Sequence, residues 1–234
     1  MSSRVIIPLD VASTDDAFAL VDQLGEQADF YKVGLELYTR AGPDVVRALV
    51  DRGKRVFLDL KLHDIPHTVA RATAAASELG VEMLTVHATG GPAMLEAAAD
   101  AGRGGLSLLA VTVLTSMSPD DISRVWGRDI RSVREEVEQL TLLAREAGMH
   151  GVVASPLEVS RLRRRVEPGF VIVTPGIRPA GSARDDQNRV AAPAEAVRAG
   201  SDYLVIGRPI TRADDPAAAL AAILEEIDGV EADG

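Results

Sequence analysis

Three of the 25 basic residues are lysines, Lys32, Lys54 and Lys61; the rest are arginines. A chain that uses arginine wherever a solvated positive charge will serve marks its lysines as candidates for proton transfer or for a compact point charge. Two of them fall inside apolar runs. In Val56-Phe57-Leu58-Asp59-Leu60-Lys61-Leu62 a period of two puts Phe57, Asp59 and Lys61 on one face, and the apolar remainder on the other. Phe30-Tyr31-Lys32-Val33-Gly34 repeats the pattern, with Tyr31, Val33 and Leu35 opposite Lys32. Lys54, in the polar turn Asp51-Arg52-Gly53-Lys54, has no evident role. Inward charges need partners or a function, because desolvating an unpaired ion costs several kcal/mol. A structural ion pair between Lys32 and Asp59 is the plain reading. The chemical reading is a chain of alternating sign, Lys32, Asp59, Lys61 and Asp64, that fixes each ammonium.

Metal chemistry fits less well. Asp59, His63, Asp64 and His67 fall within nine residues, but strand alternation turns His63 away from Asp59, and the intervening lysine repels a divalent ion. No metal is expected. The absence of cysteine removes disulfides, thiolate catalysis and cysteine-based metal sites.

These residues need a frame. Eight short runs rich in Val, Ile or Leu, at 5–11, 30–37, 56–62, 83–89, 106–114, 151–155, 170–175 and 203–206, alternate with amphipathic segments. Such runs suit strands buried on both faces. Helices are expected from Ser13 to Gly25, from Gly42 to Gly53, and over 67–79, 92–101, 130–147, 157–166, 193–199 and 216–227. Eight strand–helix units, without a linker or a composition shift, predict a lean (β/α)8 TIM barrel, α/β in class, as a single domain over residues 1–234. A doubly wound sheet competes, but Pro8-Leu9-Asp10-Val11-Ala12-Ser13 lacks the Gly-rich turn that it would want.

In a barrel, chemistry gathers where strands end. Asp10, Lys32, Asp59 with Lys61, His87, Thr115 with Ser116, Ser155, and Gly207 with Arg208 fall there. Gly207-Arg208 follows the last strand, a recurrent phosphate site of such barrels. The polar loop Ala180–Asn188 reads as a lid, with Arg178 and Gln187 reaching a ligand, or else as a plain surface loop. The basic run Arg161–Arg165 reads as a solvated face. A net charge of −10 and only eight aromatic residues argue against nucleic acid as partner. No run approaches the ~18 apolar residues of a membrane helix, and the N-terminal apolar stretch is too short for a signal peptide. A cytoplasmic location is expected.

Asp59-Leu-Lys61-Leu-His-Asp64-Ile65-Pro66-His67-Thr68-Val69 closely resembles the signature of the orotidine 5′-phosphate decarboxylases of bacterial type. Pro8-Leu9-Asp10, Lys32-Val33-Gly34, Thr112-Val-Leu-Thr115-Ser116-Met117, Thr174-Pro175-Gly176-Ile177-Arg178, Asp186-Gln187-Asn188-Arg189 and Ile206-Gly207-Arg208-Pro209-Ile210 resemble that family in its order. Asp-x-Lys-x-x-Asp alone is shared with magnesium-dependent barrels, 3-keto-gulonate-phosphate decarboxylase and hexulose-phosphate synthase, which are the rival enzymes. A barrel that binds a ligand without turnover is the rival of another class.

The resemblance implies decarboxylation of orotidine 5′-monophosphate to UMP and CO2, without a cofactor, in pyrimidine synthesis. It makes Lys61 the cation and proton donor at C6, and puts Asp59 beside the substrate carboxylate. Lys32 would hold Asp59 and a ribose hydroxyl, and Asp10 would take another hydroxyl. Thr115 and Ser116 would read the pyrimidine edge. Arg178, Gln187, Gly207 and Arg208 would grip the phosphate. The resemblance further implies a homodimer in which Asp64, Ile65 and Thr68 come from the partner subunit.

Overall fold

The computed structural model describes residues 4–102, 104–179 and 190–232. Eight strands, β1 (Val5–Pro8), β2 (Phe30–Gly34), β3 (Arg55–Leu62), β4 (Met83–His87), β5 (Ser107–Val111), β6 (Gly151–Val153), β7 (Val171–Thr174) and β8 (Tyr203–Val205), close into a parallel barrel in chain order. β8 pairs with β1, so no sheet edge is left open. Helices follow the strands on the outside, as the alternating pattern predicts.

Strand alternation divides the apolar residues into two cores. Ile6, Phe30, Phe57, Met83, Leu109 and Val173 fill the barrel interior. Tyr31, Val33, Val56 and Leu58 belong to the larger core between sheet and helices. The N-terminal end of the barrel is closed by Arg55, whose guanidinium lies 4.0 Å above the Phe30 ring and makes two 2.6 Å hydrogen bonds to Glu82. At the opposite end, where the strands finish, the described residues leave a cavity.

The helix signals hold at the first helix, Thr14–Leu24. Ser13 caps it by accepting from the Asp16 amide, and Gly25 ends it at φ 55°, a conformation that suits glycine. Several expected bounds are longer than the elements themselves, as at β1, β5 and the helix Val159–Arg163, and other expectations need correction. The second strand stops at Gly34 instead of Leu37, and a helix over Leu35–Ala41 follows at once. Leu35-Glu36-Leu37 alternates like a strand, yet it is the first turn of that helix: Leu37 is buried and Leu35 is 56% exposed. The expected helix over 130–147 begins at Val133, capped by Ser132. Ahead of it lies an unexpected helix, Pro119–Trp126, set by a capping box between Ser118 and Asp121. Lys54 proves to be structural. Its ammonium donates to the carbonyls of Gly25 and Ala28 at 2.8 and 2.9 Å, where the first helical segment ends.

Candidate active site

At the end of the barrel where the strands finish, the described residues line a cavity of about 460 Å³, a size suited to one small molecule. Asp10, Lys32, Asp59 and Lys61, from the ends of β1, β2 and β3, contribute its charged floor. The segments after β7 and β8 contribute Arg178, Gly207, Arg208 and Arg212. Val111, Val113 and Leu114 add an apolar wall beside Thr115 and Ser155.

The floor is a chain of ion pairs. Lys32 Nζ lies 2.9 Å from Asp10 Oδ1 and 3.7 Å from Asp59 Oδ2. Lys61 Nζ donates to that same Asp59 oxygen at 2.8 Å. Lys32 and Asp59 are buried, whereas the Asp10 side chain is 63% exposed. Burial alone would raise the Asp59 carboxyl. The ammoniums of Lys32 and Lys61, with hydrogen bonds from Lys61 and Thr85, more than reverse this and hold it below the usual carboxylate range. Lys32 packs against the backbone of Gly34: a Cβ there would sit 3.0 Å from Lys32 Nζ and 3.2 Å from Asp10 Oδ1. Glycine at this position makes room for the ion pair.

Asp64 does not extend this chain, contrary to the sequence expectation. Its Oδ1 accepts from the Ile65 amide at 2.6 Å, beyond the end of β3, and Asp10 takes the terminal place instead. Asp64, Ile65 and Thr68 are exposed and do not line this chain's own cavity; Ile65 is 66% exposed. Ser116 is also exposed and off the lining, while its neighbour Thr115 is on it. Arg178 is buried, its segment held by pairing of Ile177 with Ala191. Gln187 and the expected lid, 180–188, lie outside the described residues. Among the described residues no three His, Cys, Asp or Glu side chains come together as a metal site. His63 instead packs against His87 in a tilted arrangement, with ring centroids 5.3 Å apart and planes at 41°, and burial, then His63 and Lys61, push the His87 imidazole below its ordinary value.

Thr85 escaped the sequence reading. It lies on the inward face of β4, and its hydroxyl donates to Asp59 Oδ1 at 2.9 Å and accepts from the Lys61 amide at 2.8 Å. The only sequence signal was a polar residue at an inward position beside β3, which a threonine in a strand does not advertise.

Fold and site define a (β/α)8 barrel with a lysine–aspartate charge chain at the strand C-termini and arginines above it. Residues 3–223 match the Orotidine 5'-phosphate decarboxylase / HUMPS family, and the chain belongs to that family. It is 53% identical to the orotidine 5'-phosphate decarboxylase of Moorella thermoacetica, over 97% of this chain and 93% of that relative. It is 51% identical to the enzyme of that name from Nitrosococcus oceani, over 97% and 99%. Among solved structures, orotidine 5'-phosphate decarboxylase from Lactobacillus acidophilus superposes with a TM-score of 0.85 at 40% identity, covering 96% of this chain and 98% of that one. The Pyrococcus horikoshii OT3 enzyme of the same name gives 0.78 at 26% identity, covering 97% and 100%. No described helix is long and apolar enough to cross a membrane.

Proposed function

We propose that this chain decarboxylates orotidine 5′-monophosphate to UMP and CO2, the step that completes a pyrimidine nucleotide, in the cytoplasm and as one domain. The observation that carries the reading is the shared Asp59 carboxylate, held between the ammoniums of Lys32 and Lys61 on the cavity floor. Loss of CO2 leaves an electron pair in the ring plane at C6, where the ring cannot delocalise it as an enolate. A cation fixed beside C6 in a site shielded from water is the available stabilisation. Lys61 supplies that cation. As the C6–carboxylate bond breaks, the pair stays on C6, CO2 departs, and the Lys61 ammonium gives C6 a proton; solvent then reprotonates the amine. Asp59 lies beside the departing carboxylate, and Lys32 and Asp10 take ribose hydroxyls. Thr115, on the cavity lining, reads the pyrimidine edge; Ser116, exposed beside it, has to turn inward to join that contact. Arg178, Gln187, Gly207 and Arg208 hold the phosphate, and this remote binding helps organise the site for the transition state.

No metal takes part in this reading. Asp59 is committed to two ammoniums, which leaves poor ligands for a divalent ion next to two positive charges. The exposed segment carrying Asp64 and Ile65, with Thr68 in the first turn of the helix Pro66–Glu78 that follows, stands off this chain's own cavity and supports a homodimer in which these residues complete the partner's site. The test is to add protein stripped with EDTA to orotidine 5′-monophosphate and follow loss of the orotidylate absorbance. Undiminished turnover with UMP as product is expected. Dependence on added magnesium would point to the sugar-phosphate chemistry of the rival enzymes, and binding without turnover would point to a ligand-binding barrel.

A further inference from the structure

We infer that Thr85 is a positioning residue that couples the backbone of Lys61 to the carboxylate of Asp59, an inference that rests on the decarboxylase reading above. The register of β3 against β4 runs Phe57 to Met83 and Leu58 to Leu84, and resumes only at Leu62 to Val86. Three residues of β3 (Asp59, Leu60 and Lys61) thus stand opposite one residue of β4, Thr85. Such a bulge re-aims side chains and leaves ladder groups without their regular partner. Two extra residues preserve the alternation, so Asp59 and Lys61 still share a face.

The bulge also strains the backbone. Lys61 has φ 51° and is the one non-glycine residue with positive φ among the described residues. A long side chain in that region is strained and persists only where the surrounding structure over-determines it. What surrounds it is the Thr85 hydroxyl, which accepts the Lys61 N–H at 2.8 Å in place of a regular ladder partner. The direction of each bond is fixed by chemistry. An amide can only donate and a carboxylate can only accept, so the hydroxyl must accept from Lys61 and send its single proton to Asp59 Oδ1. Thr85 is fully buried, so water does not substitute readily for either bond. The second carboxylate oxygen is thereby left to Lys61 Nζ and Lys32 Nζ. One hydroxyl sets both where the ammonium is attached and how the carboxylate that orients it is turned.

The test compares Thr85→Val, which keeps the shape and removes the hydroxyl, with Thr85→Ser, which keeps the hydroxyl. Thr85→Ala stands in if the valine variant does not fold. A hydrogen bond to a charged group corresponds to a loss of about ten- to a hundred-fold. The expected result is that kcat for orotidine 5′-monophosphate falls by about that factor in the valine variant while KM changes far less, since ribose and phosphate contacts remain. Serine is expected to restore kcat to within about threefold. A second readout does not need turnover: with only three lysines in the chain, labelled-lysine NMR resolves each ammonium. The Lys61 resonance should move in Thr85→Val, and the Lys54 resonance should not. A folded valine variant with wild-type kcat and an unmoved Lys61 signal overturns the inference, even if its Tm falls, because a merely structural threonine predicts that outcome. If the wild type does not turn over the nucleotide but the Lys61 signal moves, the decarboxylase reading fails and the coupling stands.

Discussion

The ammonium of Lys61 lies 2.8 Å from Oδ2 of Asp59, two residues back along the same strand, and that oxygen also faces Lys32 at 3.7 Å. One buried carboxylate therefore serves two cations, and the exposed Asp10 balances the second. With two charges of each sign the floor is neutral overall but sharply polarised. In the proposed reaction, a substrate carboxylate entering beside Asp59 would meet a like charge that the lysines restrain from protonating.

This arrangement sets a pH dependence of stability. The folded Asp59 carboxyl titrates below its unfolded value of about 3.9. Its contribution to stability is therefore complete above that value and is lost as pH falls through the folded value. Asp59→Asn is expected to be less stable than wild type at pH 7, because two ammoniums lose their shared partner. The difference should shrink on acidification below about pH 4. Denaturant midpoints at several pH values check this; a difference that grows toward low pH contradicts it.

Arg208, beside Gly207 on the cavity wall, tests the phosphate end. A desolvated grip between a guanidinium and a phosphate corresponds to about 2–5 kcal/mol. Arg208→Ala should lower kcat/KM for the nucleotide by orders of magnitude and leave the phosphate-free nucleoside nearly unaffected. Equal losses on both substrates would remove Arg208 from the phosphate site.

The loop that stands off its own cavity gives a complementation test. Lys61→Ala and Asp64→Ala should each be nearly inactive. In a heterodimer of the two, one composite site carries both defects and the other recovers Lys61 from one chain and Asp64 from its partner. Activity should then climb toward about half that of wild type per heterodimer, on two-fold geometry. Heterodimers, verified by subunit exchange, that stay as inactive as the parents place the role of Asp64 within its own chain.

Much of this site was legible from strand alternation alone. A period of two put Lys32, Asp59 and Lys61 inside the barrel, and the scarcity of lysine singled two of them out. Asp10 was visible as a residue at a strand end, but its link to Lys32 depends on the approach of two strand ends, which no local pattern encodes. Thr85 was invisible for a different reason. Its role comes from the bulge in β3, and nothing in Leu60-Lys61-Leu62 announces a positive φ. The helix after Gly34 was hidden because Leu35-Glu36-Leu37 imitates a strand, and tertiary packing of Leu37 decides between the two.

Lys61 carries the central claim, and steady-state turnover of its variants tests it most directly. Lys61→Ala removes the proton donor and the positive charge together. Lys61→Arg keeps the charge, but a planar guanidinium, which holds its protons far more tightly than an ammonium, is a poor proton donor. With folding checked by Tm and affinity for UMP measured alongside, both variants are expected to bind product yet lose nearly all turnover of orotidine 5′-monophosphate. Near-wild-type kcat in Lys61→Arg would contradict the assignment of Lys61 as the group that delivers the proton to C6.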